Sequence, residues 1–215
     1  MHRRLFLAAL SGAAAAPNLL WAATKEPVSL GKVFPYYDLY LKLPPTERNR
    51  FAMAYYVMRD GKPAAGLKAW IIEGATRTPI VYGADGHAPM LPTLAQLQSA
   101  MIQFDVPQDV KLKPTPELRA TLASSTQLDA AAIGAAIVQA DTAAHKMAGG
   151  MAFIVPKIAA AQFPGAGSGQ AVAPGRAMPL AAGKYGPVYN PAKEPGARTI
   201  ALAKAPNHIM LTPAT

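Results

Sequence analysis

The chain has 215 residues, a formal net charge of +9 at pH 7 and no cysteine. The missing cysteines exclude a disulfide framework, a thiol nucleophile and any zinc or iron–sulfur centre held by thiolates. A hydrophobic content of 51% excludes a wholly disordered chain, and the length suits one compact domain or two small ones.

Residues 1–23 have the three-part build of a secretory signal peptide. A basic start at Arg3 and Arg4 precedes the apolar run Leu5–Ala16, and two alanines end the segment. The run is too short and too rich in alanine to hold a membrane, which takes roughly 20 strongly apolar residues. We therefore expect a cleaved signal peptide over 1–23 and a mature protein that is periplasmic or secreted.

The same segment resembles a twin-arginine export signal. Arg3-Arg4-Leu5-Phe6-Leu7 contains the paired arginines and the later Phe-Leu of that class. The resemblance implies export of a folded protein, and an ordinary secretory signal that happens to start with two arginines is the alternative. No second long apolar stretch follows, so no transmembrane segment is expected after cleavage.

The positive charge does not point to nucleic acid. Lys and Arg are scattered after residue 4, whereas a nucleic-acid reader usually has a clustered basic stripe. We expect no nucleic-acid partner. The charge instead favours solubility and a weak attraction to anionic surfaces of the cell envelope.

The first part of the mature chain predicts an arm, a helix and a strand. Residues 24–33 predict a flexible arm. Residues 34–43 predict a short helix that Pro35 starts and Pro44-Pro45 stop. Phe51 to Arg59 predicts a strand that is apolar on both faces, as in a sheet covered on both sides.

Turn signals then separate several more strands. Asp60-Gly61 is typical of a two-residue hairpin turn, and Leu67 to Glu73 is predicted as the returning strand. Further strands are predicted at 78–82 and 99–106. Residues 110–113 predict an edge strand, because Pro114 and Pro116 cannot donate to a ladder.

The stretch 50–118 resembles the small prealbumin-like sandwich modules related to carboxypeptidase regulatory domains. The residues 60–67 and the turn 84–86 carry the resemblance, and a helical insert at 92–98 departs from it. The resemblance implies a binding or scaffold module without chemistry of its own. The chain as a whole also resembles uncharacterised exported proteins of Gram-negative bacteria.

Residues 127–147 predict one long alanine-rich helix. Thr126 and Asp129 have the spacing of a capping box, and Gly149-Gly150 suit the end of the helix. Its small side chains allow close approach, so we expect it to lie across a sheet; self-association through that face is the alternative.

The last part mixes predicted strands with turns. Met151 to Val155 predicts a strand. Residues 164–197 are dense in Pro and Gly and predict a long loop or tight turns, with a short strand at 185–189. Thr199 to Ala203 and His208 to Leu211 predict a closing hairpin.

These elements predict an α+β fold: an antiparallel sheet or sandwich, one long helix and a short N-terminal helix. We expect one compact domain over 34–215, with sub-units at 34–118 and 119–215 as a further division.

No catalytic, cofactor or metal site is predicted. Gly165, Gly167 and Ser168 come nearest to a phosphate loop or a nucleophile elbow, but Gln170 stands where the dinucleotide fingerprint needs glycine. The hydrolase elbow needs single residues between Ser and each Gly, and Ser168 has none. We interpret the segment as a flexible turn.

The histidines and acids give no assembled motif. His87, His145 and His208 are not paired at metal-ligand spacing, so a zinc site would need all three to converge. Asp141 lies one helical turn before His145, which predicts a pair on the helix surface; orientation of a general base is the alternative.

Two acids and one tryptophan complete the candidates. Asp105 and Asp109 lie close together in the sequence. Trp70 stands beside two isoleucines and is predicted as a core residue, with sugar stacking as the alternative.

The sequence therefore predicts an exported, non-catalytic protein: a binding, scaffold or envelope-interaction module. A hydrolase with a dispersed site in the 164–197 loop is one alternative. A carrier of small apolar ligands that uses Tyr36, Tyr40 or Tyr55 is another. A scaffold module predicts apolar residues on an exposed face, and an enzyme predicts an acid that meets His or Ser in a pocket.

Overall fold

The computed structural model describes residues 25–213. The predicted signal peptide at 1–23 lies outside these residues. Within them no helix is long and apolar enough to cross a bilayer.

Antiparallel strands dominate the described residues and form three sheets. Sheet I has the order β1-β6-β4-β5, sheet II the order β11-β10-β14-β8, and sheet III the order β12-β13-β9-β15-β7-β2-β3. Numbered along the chain, the strands are β1 Val28–Ser29, β2 Phe51–Arg59, β3 Lys62–Pro63, β4 Lys68–Glu73, β5 Thr76–Val81, β6 Met101–Phe104, β7 Leu112–Ala120, β8 Gln127–Asp129, β9 Ile158–Gln162, β10 Gly169–Ala173, β11 Arg176–Pro179, β12 Ala181–Ala182, β13 Pro187–Tyr189, β14 Thr199–Leu202 and β15 Met210–Pro213.

Four α-helices accompany the sheets in this part of the chain. They are α1 Leu30–Val33, α2 Tyr37–Lys42, α3 Leu94–Ser99 and α4 Ala130–Ala148, with 3-10 turns at Pro45–Glu47 and Gly149–Ile154. The predicted α+β class, the long alanine-rich helix and the short N-terminal helix are confirmed.

Helix α4 lies across sheet III and contacts β9 most closely. Its buried stripe is mostly alanine, with Ile133 fully enclosed. Burial of such a side chain stabilises the fold by about 1.5–3 kcal/mol. Asp129 caps the helix by accepting the N–H groups of Ala131 and Ala132 at 2.7 and 3.3 Å. The predicted cap at Thr126 is wrong by three residues, because Thr126 lies before β8.

The edge strand predicted at 110–113 corresponds to the start of β7, which is longer than predicted and whose far end lies between β2 and β15. Strand β15 pairs with only Leu118 and Arg119, so the part of β7 that contains Pro114 and Pro116 has a free side. Alternate residues of a strand direct their backbone nitrogens the same way. Ala120 N, in the same alternation, donates to Ile209 O on the β15 side at 2.9 Å. Both proline nitrogens therefore face the free side, and the ladder to β2 loses no donor.

The Asp60-Gly61 hairpin is confirmed, but its returning strand is the two-residue β3. The segment predicted as the returning strand, residues 67–73, corresponds to β4, which belongs to sheet I. Residues beyond β3 occupy the edge of β2: Val57 donates to Gly86 O and Ala88 donates to Tyr55 O, both at 2.8 Å.

Three predictions near the C-terminus need correction. Residues 151–154 belong to a 3-10 turn and not to a strand, since the helix continues into Gly149–Ile154 before β9 begins. The short strand predicted at 185–189 is confirmed as β13, but the rest of the predicted 164–197 loop contains three further short strands, β10 to β12. Strands β14 and β15 do not form a hairpin, because β14 pairs in sheet II and β15 in sheet III.

The segment expected to be a free arm is anchored over residues 25–33. Lys25 N donates to Val106 O at 2.9 Å, β1 pairs with β6, and Leu30 is fully buried. The division proposed at 118/119 falls inside β7, and one hydrophobic core includes residues from both sides of it.

Candidate functional site

The side chains of strand β4 alternate between the two faces of sheet I. Ala69 and Ile71 point into the core, whereas Lys68, Trp70 and Ile72 are exposed or half-buried on the opposite face. We call the face that carries Lys68, Trp70 and Ile72 the outer face. Trp70 was predicted as a core residue, and this prediction is wrong, because alternation along β4 places its side chain outside.

The strand register builds two rows across this face. Trp70 lies opposite Gln103 of β6 on one side and Pro79 of β5 on the other. Ile72 lies between Met101 and Arg77 in the same way. Residues directly opposite each other in an antiparallel pair share a face, so side chains distant in sequence become neighbours here.

A groove of 670 Å³ runs over the first row and is lined by Trp70, Arg77, Pro79, Gln103 and Asp105. We call it the Trp70 groove. The guanidinium carbon of Arg77 lies 5.7 Å from the centre of the Trp70 ring. Arg77 Nη2 also donates a hydrogen bond to Gln103 Oε1, whose amide nitrogen in turn donates to Lys25 O at 3.3 Å. These contacts hold the polar side chains at the rim of the aromatic ring.

The rest of the outer face combines exposed apolar side chains with Lys68. Val81 has 55% of its area exposed and Met101 has 37%. Together with Trp70, Ile72 and Pro79, they form a strip that crosses β4, β5 and β6. Contiguous exposed apolar residues with a polar rim are typical of interaction sites.

The structure brings one histidine close to an acid on sheet III. His208 Nε2 lies 2.9 Å from Glu117 Oε1, although the ring N–H is not aligned for a hydrogen bond. Arg119 Nε donates to the same carboxylate oxygen at 2.7 Å, and burial lowers the pKa of Arg119. The guanidinium also lies 5.3 Å from the ring centre of Tyr56. Since two cationic or polar partners already share one oxygen of Glu117, the arrangement suits ion pairing better than proton abstraction.

His87 is the aromatic neighbour of Tyr56, at a ring-centre distance of 5.3 Å. Because Tyr56 also contacts Arg119, His87 belongs to the same surroundings as Glu117, Arg119 and His208. No cluster of three metal-ligating residues occurs among the described residues.

Asp141 and His145 meet on α4 as predicted, with 3.5 Å between Oδ1 and Nδ1. The closer partner of His145 Nδ1 is the backbone carbonyl of Asp141, at 2.8 Å. Asp141 Oδ1 accepts the N–H of Ile158 at 2.8 Å, which ties the helix to the start of β9. These contacts give the pair a structural role.

The remaining candidates do not converge. Ser168 is exposed at the start of β10, and its carbonyl accepts the N–H of Ala203 at 2.9 Å. Asp105 lines the Trp70 groove, whereas Asp109 lies on an exposed turn outside that lining.

The tyrosines considered for a ligand carrier pack mainly against other aromatic rings. Tyr55 is 1% exposed, donates to Pro35 O at 2.6 Å and lies edge-on to Tyr37 at 5.7 Å. Tyr40 donates to Phe51 O at 3.2 Å, and Tyr36 is 63% exposed. This geometry favours core packing for Tyr40 and Tyr55.

No protein-family model, curated protein or solved structure matches the chain. The resemblance to prealbumin-like modules therefore stays a prediction.

The outward direction of Trp70, although not the groove as a whole, could have been predicted from the sequence by one signal. The charged residues Lys68 and Glu73 are the two ends of β4, and Lys68 is two residues before Trp70. Strict alternation assigns Trp70 to the face of Lys68. The adjacent isoleucines obscured this signal, because they suggest burial on both faces.

Proposed function

We propose that this chain is an exported, non-catalytic module that attaches to a component of the cell envelope through the Trp70 groove. The observation that supports the proposal is a half-buried tryptophan in a groove rimmed by Arg77, Gln103 and Asp105, on a sheet face that no other element within residues 25–213 covers. Aromatic residues and arginine contribute disproportionately to binding energy at protein surfaces. The predicted signal peptide favours an envelope location, and so does the net charge of +7 that remains once residues 1–23, with Arg3 and Arg4, are removed.

Co-sedimentation with purified bacterial envelope material tests the attachment. The wild-type chain is expected to sediment with the insoluble envelope fraction, and Trp70→Ala is expected to stay in the supernatant. Phe153→Ala is the matched control, since Phe153 is 85% exposed and lies outside the groove. Equal sedimentation of wild type and Trp70→Ala would remove the groove from the proposal.

Export is tested separately by expressing the chain in a Gram-negative bacterium and determining its N-terminus by mass spectrometry. We expect a periplasmic or secreted protein that starts near residue 24. An intact Met1 in that compartment would contradict cleavage.

A further inference from the structure

The Arg119 side chain on sheet III has hydrogen-bonding capacity that no described residue uses. Its Nε donates to Glu117 Oε1 at 2.7 Å, and its guanidinium carbon lies 5.3 Å from the centre of the Tyr56 ring. The two terminal nitrogens, Nη1 and Nη2, donate to no residue within 25–213, and neither of them is enclosed. One edge of the guanidinium, with two donor nitrogens, is therefore open to a ligand.

The guanidinium is held in a fixed place before any ligand arrives. Arg119 lies opposite Ala52 of β2 in the strand register. Glu117 lies opposite Ala54, so small side chains on β2 leave room for the longer ones of β7. His208 Nε2 lies 2.9 Å from the same oxygen of Glu117 that accepts the Arg119 bond. Because these contacts already order the Arg119 side chain, binding of a ligand costs little additional side-chain entropy.

The charges on this face of sheet III sum to a positive value. Where β2, β7 and β15 pair, the face that carries Arg119 has two cations and one carboxylate: Lys113, Arg119 and Glu117. The carboxylate is already engaged by Arg119 Nε. Burial lowers the pKa of Arg119, because the guanidinium has lost part of its hydration. Hydrogen bonds to an anion would replace that hydration, and they are stronger than bonds to a neutral acceptor.

The segments beside this face do not reverse the balance. The loop 82–93 carries one acid, Asp85, and its Oδ1 already accepts the backbone N–H of His87 at 3.0 Å. The end of β2 with its turn contributes two cations and one acid, and residues 203–209 contribute one more cation: Arg59, Lys62, Asp60 and Lys204. These neighbours add +1 in total, since three cations stand against two acids.

An oxyanion group fits the open edge of Arg119. The two terminal nitrogens of a guanidinium can donate in parallel to two oxygens of one carboxylate or phosphate group. Tyr56 of β2 and Thr115 of β7 lie directly opposite each other on the same face, and each carries a hydroxyl that can donate a further bond. We propose that Arg119 forms the centre of a second binding site, which takes the carboxylate or phosphate group of an anionic ligand. This site lies on a different sheet from the Trp70 groove, so its test is independent of the function proposed above.

Side-chain NMR spectroscopy of the full-length chain tests the site, because the Nε–H group of Arg119 gives its own proton–nitrogen signal. The signal is assigned through its couplings to the Arg119 backbone. Inorganic phosphate and acetate are titrated separately, at an ionic strength kept constant with sodium chloride. We expect the Arg119 signal to shift saturably with at least one of them, with a dissociation constant of about 1 mM for two charge-assisted hydrogen bonds. The two titrations distinguish a phosphate ligand from a carboxylate ligand.

Three variants connect the signal to the geometry, with binding followed on the backbone amides of β7. Arg119→Lys keeps a positive charge but lacks the paired nitrogens, so it should weaken binding by about tenfold or more. Glu117→Gln keeps an acceptor for Nε and removes the opposing charge, so it should tighten binding by about threefold to tenfold. Arg176→Lys, an exposed change on β11, is the matched control and should bind as wild type does, since Arg176 Nη2 donates to Pro195 O at 3.0 Å on another sheet.

Each outcome counts for or against the site. Saturable shifts that are lost in Arg119→Lys and retained in Arg176→Lys would support it. The proposal is overturned if neither anion moves the Arg119 signal more than chloride of equal ionic strength does. It is also overturned if Arg119→Lys binds as tightly as wild type, or if Glu117→Gln fails to tighten binding. Should Arg119→Lys fail to fold, the wild-type titration and Glu117→Gln still decide the case.

Discussion

Gly86 offers a sharp test of how the edge of β2 is built. It is buried, has φ +77°, and its carbonyl accepts the N–H of Val57 at 2.8 Å. A Cβ placed there would lie 2.5 Å from Val57 O and 3.0 Å from Ala64 N. Both neighbours are backbone atoms that already bond to each other at 2.9 Å, so neither can move without breaking the edge of the sheet.

Gly86→Ala is expected to lower the free energy of unfolding for two reasons. The left-handed backbone costs about 1 kcal/mol for a residue with a Cβ. The steric overlap and the weakened Val57 bond add about 1–3 kcal/mol. The free energy of unfolding should therefore fall by about 2–4 kcal/mol, measured by urea denaturation followed by circular dichroism.

Gly175→Ala is the matched control. Gly175 has φ +76°, and nothing lies within 4 Å of its added Cβ. It isolates the backbone cost, so we expect a loss of about 1 kcal/mol. The Tm of the two variants should differ by about 2–4 °C for each kcal/mol of difference. Equal losses for the two variants would refute the close approach at Gly86.

Three further predictions concern single polar groups. Tyr82→Phe is expected to raise the free energy of unfolding by about 1 kcal/mol, because the buried Tyr82 hydroxyl has no hydrogen-bond partner among the described residues. Tyr55→Phe is expected to lower the free energy of unfolding by about 1 kcal/mol, because it loses the hydrogen bond to Pro35 O. Burial raises the pKa of both tyrosines, so their contribution to stability is intact below about pH 10 and is lost as the pH rises further; urea midpoints between about pH 9 and 11 should fall less steeply for Tyr82→Phe than for wild type. Asp129→Ala should cost about 1 kcal/mol in urea denaturation through loss of the α4 cap.

Each of these has a result that contradicts it. A destabilised Tyr82→Phe would mean that the hydroxyl bonds to a group or a water not accounted for. An alkaline slope unchanged in Tyr82→Phe would show that this ring does not limit stability at high pH. For the cap, Asp129→Asn keeps an acceptor oxygen and should lose less than Asp129→Ala; identical losses would assign the effect to charge alone.

Local signals in the sequence predicted individual elements well. The strand over 51–59 and the turn at Asp60-Gly61 both reappear, since strand-forming composition and positive φ are properties of a few neighbouring residues. The long helix was predicted within a few residues, because its small-residue stripe is continuous and ends at glycine.

Strand pairing could not be predicted in the same way, because it depends on partners far along the chain. Pro114 and Pro116 indicated a free side, which their part of β7 has, but the pairing of Leu118 and Arg119 with β15 had no local signal. The Trp70 groove was missed for the same reason. Its lining residues come from three strands, and only the register brings Trp70, Gln103 and Pro79 together.

The place of β15 in sheet III has a consequence for how the polypeptide is made. Strand β15 joins β9 to β7, although more than a hundred and fifty residues separate its first residue, Met210, from the start of β2 at Phe51. During synthesis β2 and β7 can pair early, but the strand that links this pair to β9 becomes available only after β15 has left the ribosome. Such long sequence separation slows folding, so a nascent chain that is captured by a secretion machinery before that moment would still be open enough to be threaded through it.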